Sequence, residues 1–413
     1  MPKKRNKRPL KPIARVQRGN PAKGGRPAKR LRVRKASRIY RAFPIEVPPK
    51  RLFDLPRVSV LRRMEEQFEM ALSRPKVSVV IANHNGVDFL WHCLFALKTQ
   101  TSPPHEILLV DNASEDASVS FVRSNYPQVK ILECQENFGL AMAVNLGSKT
   151  AVGDLVAVVG NAVVVPPNWL GHLVRNFQKN WPHIAVMSCP FDGKQEEGGQ
   201  EKNQNQTLNF LGRPVEGFWA EPQDLFYPER GAVIYPRFLA PDGPYDSDFF
   251  QFQEDVYLGW KFRLAGHRPG KSMDAKIFRK PDEGLPEKPG WESIYYQTRN
   301  RWLNLLFFYQ AGNLVKVAPW ILAEVFIRLV ASLGIGFDSF WGNLCAVAWI
   351  FFHPSLIRKK RRAIQEKRQA GDGDILKYIS GRVVRDRGVL SRAINFFSLV
   401  YCRITGLRVL EWQ

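Results

Sequence analysis

The sequence predicts a doubly wound α/β domain. Short β-branched runs alternate with helical stretches, each run ends on polar residues, and the composition changes at both ends of the chain. The first run, Val77 to Ile81, opens into Asn83-His84-Asn85-Gly86, and a second, Ile107 to Val110, ends on Asp111-Asn112. About 25 residues separate them, room for a crossover helix over Val87 to Thr99, so the two strands lie parallel in one sheet. In open α/β sheets ligands sit beyond the carboxyl ends of the strands, where Asn83 to Asn85 and Asp111 fall. A carboxylate at that place can accept a hydrogen bond from a base or a ribose. Half of a nucleotide site is expected there.

Upstream, Lys50 to Ser73 carries Val58, Leu61, Met64, Phe68 and Leu72 at the spacing of one helix face, which leads into the sheet. Downstream the alternation continues with a helix near Ala117 to Asn125, a strand at Val129 to Glu133, a helix at Leu140 to Thr150 and a strand at Leu155 to Val159. Pro166 and Pro167 end the extended structure because neither can donate to a ladder, and Trp169 to Asn180 is patterned as a helix. Asp192 to Asn209 is rich in Gly, Gln, Glu and Asn and is expected as an exposed loop carrying the variable half of a binding site.

At 413 residues, with 45% hydrophobic and 12% aromatic side chains, the chain has material for a globular core and for two to three domains. The formal charge of +23 is concentrated at one end: 17 of the 61 Lys and Arg precede Glu46, the first acidic residue, leaving 44 basic against 38 acidic residues after it. Residues 1–45 combine Lys, Arg, Pro and Gly with few large apolar residues, the composition of a disordered, mobile arm and not of a secretory signal. Lys3-Lys4-Arg5-Asn6-Lys7-Arg8 and the stretch Lys29 to Arg38 favour anionic phospholipid over nucleic acid, for which there is no stacking motif or zinc module. A solvated tail with no specific partner is the plain alternative. Cys93, Cys134, Cys189, Cys345 and Cys402 are scattered singly, without the close pairs or His neighbours of a zinc site, and fit a reducing, cytosolic compartment.

The last third is apolar and basic. Trp320, Ile321, Leu322, Val325 and Phe326 are interrupted by Glu324 and Arg328, and Ser339 to Ile357 runs 19 residues without a charge, which just reaches bilayer-spanning length. Asn343 and His353-Pro354 weaken a span, and Arg358-Lys-Lys-Arg-Arg362 follows directly. Amphipathic helices lying in a membrane interface are therefore favoured over one span; packing against the α/β domain or a dimer partner is the alternative. Phe396 to Leu410 repeats the mixture. The chain divides into a basic arm (1–45), a linker with a helix (46–74), the α/β domain (75–310) and an amphipathic helical region (311–413).

Three blocks, Lys76-Val-Ser-Val-Val-Ile-Ala-Asn-His-Asn85, Glu106-Ile-Leu-Leu-Val-Asp-Asn-Ala-Ser114 and Asn137-Phe-Gly-Leu-Ala-Met-Ala-Val-Asn-Leu-Gly147, resemble the first half of the inverting family 2 glycosyltransferases. Gly231-Ala-Val-Ile-Tyr-Pro-Arg237, Gly243-Pro-Tyr-Asp246, Phe249-Phe250, Glu254-Asp255 and Arg299-Asn300 resemble the second half, so the likeness spans roughly Pro75 to Phe308. The resemblance implies the GT-A fold, a Rossmann-like doubly wound mixed sheet. It also implies that Ala82, Asn83 and Asn85 line a nucleotide, that Asp111 hydrogen-bonds its base, and that Asn137 and Asn145 close the other side of the pocket. Asn137 would equally suit a turn or a helix cap. Reaction in this family attacks the anomeric carbon from the face opposite the nucleoside diphosphate, so the acceptor hydroxyl needs a base. By resemblance that base is Asp255, with Glu254 supporting the geometry or the acceptor. An acidic pair opening a helix also complements the helix dipole without any catalytic role. Asp246 and Asp248 are weaker candidates, equally suited to a turn.

One departure stands out. The family's fourth strand ordinarily ends in Asp-x-Asp or Asn-x-Asp, whose acidic residue holds Mg2+ or Mn2+ against the diphosphate; here Leu155 to Val159 runs into Gly160-Asn161-Ala162, and the carboxylate position falls on Ala162. The family implies Mg2+ or Mn2+, but the ligand motif is absent and the cofactor stays open. Asn161, Arg299, Arg301 and His267 are candidates for holding diphosphate or acceptor, because a guanidinium can grip a diphosphate in a fork; surface salt bridges would account for them equally. Asp154, in the turn before the strand, is not expected to reach the metal position. Gln297 to Trp302 is similar to the Gln-x-x-Arg-Trp motif of processive synthases but has one residue more, which favours transfer of a single sugar.

The expectation is a hexosyl- or deoxyhexosyltransferase on the cytoplasmic face of a membrane, peripheral or crossing it once at most. It would move one sugar, with inversion, from a nucleotide-sugar donor to a lipid-linked or cell-surface glycan acceptor in envelope glycan synthesis, its partners being donor, acceptor and an anionic membrane surface. A catalytically impaired member of the fold, serving as a nucleotide- or glycan-binding scaffold, is the alternative. The sugar, the base, the acceptor and the oligomeric state are not set by the sequence.

Overall fold

Helix α1 (Val58–Ala71) lies against the sheet through Phe68, whose ring packs 5.0 Å from Trp181 and 5.2 Å from Phe238. This is a computed structural model, and the residues it describes are 58–192, 206–216, 225–279, 289–384 and 388–412. The expected basic arm (1–45) and the start of the linker lie outside the described residues.

The sheet follows from the runs read in the sequence. In chain order come β1 (Val77–Asn83), α2 (Val87–Lys98), β2 (Glu106–Asp111), α3 (Ser118–Asn125), β3 (Lys130–Glu133), α4 (Gly139–Thr150), β4 (Leu155–Gly160), the short β5 (Val163–Val164), α5 (Trp169–Asn180) and β6 (Ile184–Ser188). After β7 (Gln206–Asn209) and β8 (Pro214–Glu216) follow β9 (Ala232–Pro236), α6 (Glu254–Leu264), β10 (Arg268–Lys271) and β11 (Phe278–Arg279). Seven strands form one sheet in the order β10-β6-β9-β4-β1-β2-β3, with β9 antiparallel to both neighbours and the other pairs parallel. Both faces are covered, which is why the runs are continuously apolar. Val80, Leu108, Val110 and Val156 point into one core, whereas Val79, Ile81, Leu109 and Ala157 point into the other.

The stretch expected as an exposed loop ends differently. Thr207, Leu208 and Asn209 of β7 are buried, and β7 pairs with β8 and with β12 (Ile379–Ser380). The alternation Thr207-Leu-Asn-Phe210 gives this strand a buried face, and it ties the C-terminal segment to the α/β domain; residues 193–205 lie outside the described residues.

The C-terminal helices are α7 (Trp291–Phe308), α8 (Ala311–Ile335), α9 (Phe337–Phe352), α10 (Pro354–Gln365), α11 (Asp372–Leu376) and α12 (Val389–Thr405). The 19-residue uncharged stretch is broken between α9 and α10 by a 74° bend, and among the described residues no single helix is long and apolar enough to cross a membrane. The inner face of α9 is committed to α7: Thr298 Oγ1 donates to buried Asn343 Oδ1 at 3.1 Å. Val317, Ala346, Ile357 and Cys402 from these helices share the core that also holds Val80 and Val156, so the helical region and the sheet have one interior.

Candidate active site

The carboxyl ends of β1, β2 and β4 are joined by a network of short polar side chains. Asn83 Nδ2 donates to Asp111 Oδ1 and to Ser114 Oγ, both at 3.3 Å, while Asn83 Oδ1 accepts from Asn161 Nδ2 at 2.9 Å. Asp111 is buried, and Ser114 donates to it twice, from Oγ at 2.6 Å and from the backbone at 3.0 Å, leaving Oδ2 with one acceptor direction open. Asn85 has a left-handed φ of 51° and accepts from the Glu115 backbone at 2.7 Å. Gly86 is required there, because a Cβ would collide with Asn161 Nδ2 and Asn83 Oδ1. Ala82 is half-buried at the end of β1. Asn112 Nδ2 donates to Asn137 Oδ1 at 2.7 Å, and that oxygen also accepts from Gly139 N at 2.9 Å, so Asn137 acts as a turn and cap at the start of α4.

The acidic pair lies at the same end of the sheet, and its position can be traced bond by bond. Gly160 N, at the end of β4, donates to Gly231 O at 2.8 Å, which fixes Arg230 beside that strand end. Arg230 Nε reaches Asp255 Oδ2 at 3.2 Å and Arg230 Nη2 lies 3.5 Å from Glu254 Oε1. Glu254 and Asp255 occupy the first turn of α6, where the helix N-terminus favours carboxylates. Glu254 is buried with Oε2 lacking a hydrogen-bond partner. Burial pushes its carboxyl above the ordinary range, Arg230 opposes that shift, and Asp255 adds to it.

A loop with left-handed φ at Phe250, Phe252 and Gln253 delivers the pair. Asn300, buried on α7, holds that loop: its Nδ2 donates to the carbonyls of Phe249, Gln251 and Phe252 at 2.8, 2.8 and 3.0 Å. The loop also rests on α4, where Ala141 N donates to Phe250 O at 3.2 Å and a Cβ at Gly139, φ 83°, would collide with Phe250. Lys360 on α10 pairs with Asp246 and Asp248, both at 2.5 Å, which makes these two aspartates loop anchors.

Four residues expected in the pocket are engaged elsewhere. Asn145 is buried and exchanges both amide groups with the backbone of Tyr245, at 2.8 and 3.0 Å, so it braces the loop after β9 instead of lining a nucleotide. Arg299 is buried under Trp349 and donates to Asp248 O at 2.5 Å and to the Tyr295 hydroxyl at 3.0 Å. Arg301 is buried against Glu324, with Nη1 to Oε2 at 2.9 Å, in a cluster that Arg213 and Arg328 join. His267, next to β10, stacks on Trp181 and contacts Pro182 O at 2.9 Å. Each is a charged or polar group with at least one partner distant in sequence. Asp154 accepts from Lys76 N at 2.8 Å, at the opposite end of the sheet from the metal position. Arg230 and Asn300's clamp are the site features that sequence patterning missed or left without a role.

Residues 78–237 match the model of glycosyl transferase family 2. Over that stretch the chain is similar to the family 2 glycosyltransferases. The chain is 27% identical over 214 residues to the glycosyltransferase YwdF of Bacillus subtilis, covering 50% of this chain and 71% of that one. It is 38% identical over 93 residues to the glycosyltransferase YibD of Escherichia coli, but that match spans 22% of this chain and only 27% of YibD. Among solved structures, Staphylococcus aureus TarS superposes with a TM-score of 0.47 at 15% identity, covering 81% of this chain and 55% of TarS. GalNAc-T7 with UDP, GalNAc and Mn2+ gives 0.48 at 15% identity over 70% of this chain and 54% of that one. The mixed sheet with its two helical layers is the GT-A fold implied by the family, and neither the family nor the relatives' names support a catalytically impaired scaffold.

The family also implies a divalent metal, and the donor set at the end of β4 does not fit one. Ala162 offers no side-chain oxygen and no charge, and the Asn161 side chain has one neutral carbonyl oxygen while its amide nitrogen is engaged by Asn83. Among the described residues no group of three His, Cys, Asp or Glu could hold an ion.

Proposed function

We propose that this glycosyltransferase moves one hexosyl or deoxyhexosyl unit, with inversion, from a nucleotide-sugar donor to a lipid-linked or cell-surface glycan acceptor at an anionic membrane surface. The observation that carries the reading is Asp255: a carboxylate on the first turn of α6, bridged by Arg230 to the strand end where Asn83 and Asp111 cluster. In the step this supports, the acceptor hydroxyl oxygen bonds to the anomeric carbon as the bond from that carbon to the diphosphate oxygen breaks. The hydroxyl proton passes to Asp255, and the electron pair of the broken bond leaves with the diphosphate. In this reading Asn83, Asn85 and Asp111 hold the nucleoside.

The membrane part rests on the outer faces of the C-terminal helices. Leu322, Phe326, Val330 and Leu333 on α8, Phe337, Trp341 and Phe352 on α9, and Phe396, Phe397 and Ile404 on α12 are exposed, each set on one helical face. Arg358, Lys359 and Arg362 on α10 and Arg392 and Arg403 on α12 are exposed beside them. Aromatic and aliphatic faces edged by cations suit the headgroup boundary of an anionic leaflet. The chemistry is tested by incubating the full chain with UDP-, GDP- and dTDP-sugars and a membrane lipid extract, and following nucleoside diphosphate release and the anomeric configuration of the product. Release that depends on the extract, with an inverted anomer, is expected. Absence of glycosyl product over the panel, or a retained anomer, would overturn the proposal.

A further inference from the structure

The diphosphate needs a counter-charge that Ala162 does not bring. The cations expected from sequence to provide it lie in other places: Arg301 is enclosed with Glu324, Arg299 is buried against Trp349, and His267 stacks on Trp181. Lys271, at the carboxyl end of β10, is paired with Glu229 at 2.7 Å. Arg230 differs from these in three ways. Its backbone is anchored beside Gly160-Asn161-Ala162 through the Gly160 to Gly231 hydrogen bond of 2.8 Å. Its side chain is 49% exposed, so the guanidinium can meet a ligand. It reaches across to the acidic pair, at 3.2 Å from Asp255 and 3.5 Å from Glu254, and so spans the space between the nucleotide end and the proposed base.

We propose that Arg230 binds the donor's diphosphate and carries the leaving-group charge in place of a divalent metal. A guanidinium presents a planar fork of donors that matches two phosphate oxygens, and it needs no ligand set of its own. In the structure the same group pairs with Asp255. When a diphosphate enters, Arg230 turns to the phosphate oxygens and its ion pair with Asp255 opens, so that the base is released only with a donor in place. This rests on the nucleotide-sugar reading above, and the test separates the two.

The experiment is calorimetric titration of the full chain with UDP, GDP and dTDP, and with UMP, GMP and dTMP, in EDTA and then in excess Mg2+. Wild type is expected to prefer one nucleoside diphosphate over its monophosphate in EDTA. Two charge-assisted hydrogen bonds correspond to a preference of about 10²- to 10⁴-fold. Arg230→Ala should erase most of that preference while monophosphate affinity holds, and Arg230→Lys should restore part of it. Arg230→Ala on an Asp255→Asn background controls for repulsion by the uncovered carboxylate and should lose the preference equally. An unchanged diphosphate preference in that double variant, or a wild-type preference that appears only with Mg2+, overturns the assignment of Arg230. Failure of wild type to bind any of the six nucleotides overturns the donor reading itself.

Discussion

Asn300 holds the geometry of the acidic pair with one nitrogen. Its Nδ2 donates to three carbonyls of the loop 249–252, in which Phe250 and Phe252 adopt left-handed φ that non-glycine residues otherwise avoid. Asn300→Ala would leave those carbonyls and the buried cavity unsatisfied, at a cost of about 1–3 kcal/mol. Thermal unfolding should show that loss, and the turnover rate should fall with nucleotide affinity nearly unchanged, since Asn83 and Asp111 do not depend on the loop. Turnover that survives the substitution would mean that Asn300 does not set the geometry of the acidic pair. Arg299 beside it was expected to bind phosphate and instead reinforces the same loop through Asp248 O. The residue types of the Arg299-Asn300 pair were legible in the sequence; what they grip was not, because the partners lie about 50 residues upstream.

At the scale of elements, the strands could be read from the chain because a sheet covered on both faces requires continuous apolar runs, and β1, β2 and β4 are such runs. β7 could not, since it adjoins a stretch rich in Gly and Gln and its pairing partner β12 comes about 170 residues later. The join between α7 and α8 was equally hidden. Glu324, an interruption in an apolar helix as a sequence, is the hub on which Arg301, Arg213 and Arg328 converge. Burial works against its charge, but Arg301, then Arg213 and Arg328, outweigh that and hold its carboxyl down at about 2, from an ordinary 4.5. A depressed folded-state value means that the ionised carboxylate stabilises the fold above about pH 4.5. That contribution should fade as pH falls toward 2, which chemical denaturation across that window would measure. Glu324→Gln leaves a buried arginine without its counter-charge and should destabilise by about 3–5 kcal/mol. A variant as stable as wild type would mean that the cluster is solvated.

Across the whole molecule, the sheet places the polar cluster of Asn83, Asp111 and Asn161 and the acidic pair at the same end, and the C-terminal helices add outward apolar faces and exposed cations. The bend between α9 and α10 and the commitment of α9 to α7 favour a helix lying in the interface over one crossing it. Sedimentation with phosphatidylglycerol-containing vesicles should therefore carry the full chain down, less so in high salt. Arg358→Glu with Arg362→Glu should weaken that binding by roughly 30-fold or more, at about 1 kcal/mol for each lost cation. Phe326→Asp with Phe352→Asp should weaken it further, and equal sedimentation of all forms would make these faces contacts for something other than lipid. The claim that joins these parts is that Asp255 takes the acceptor's proton. Asp255→Asn, assayed for sugar transfer and for nucleotide binding, tests it most directly. Transfer should fall by about 10²- to 10⁴-fold while nucleotide affinity stays within a few-fold of wild type; transfer at the wild-type rate would contradict it.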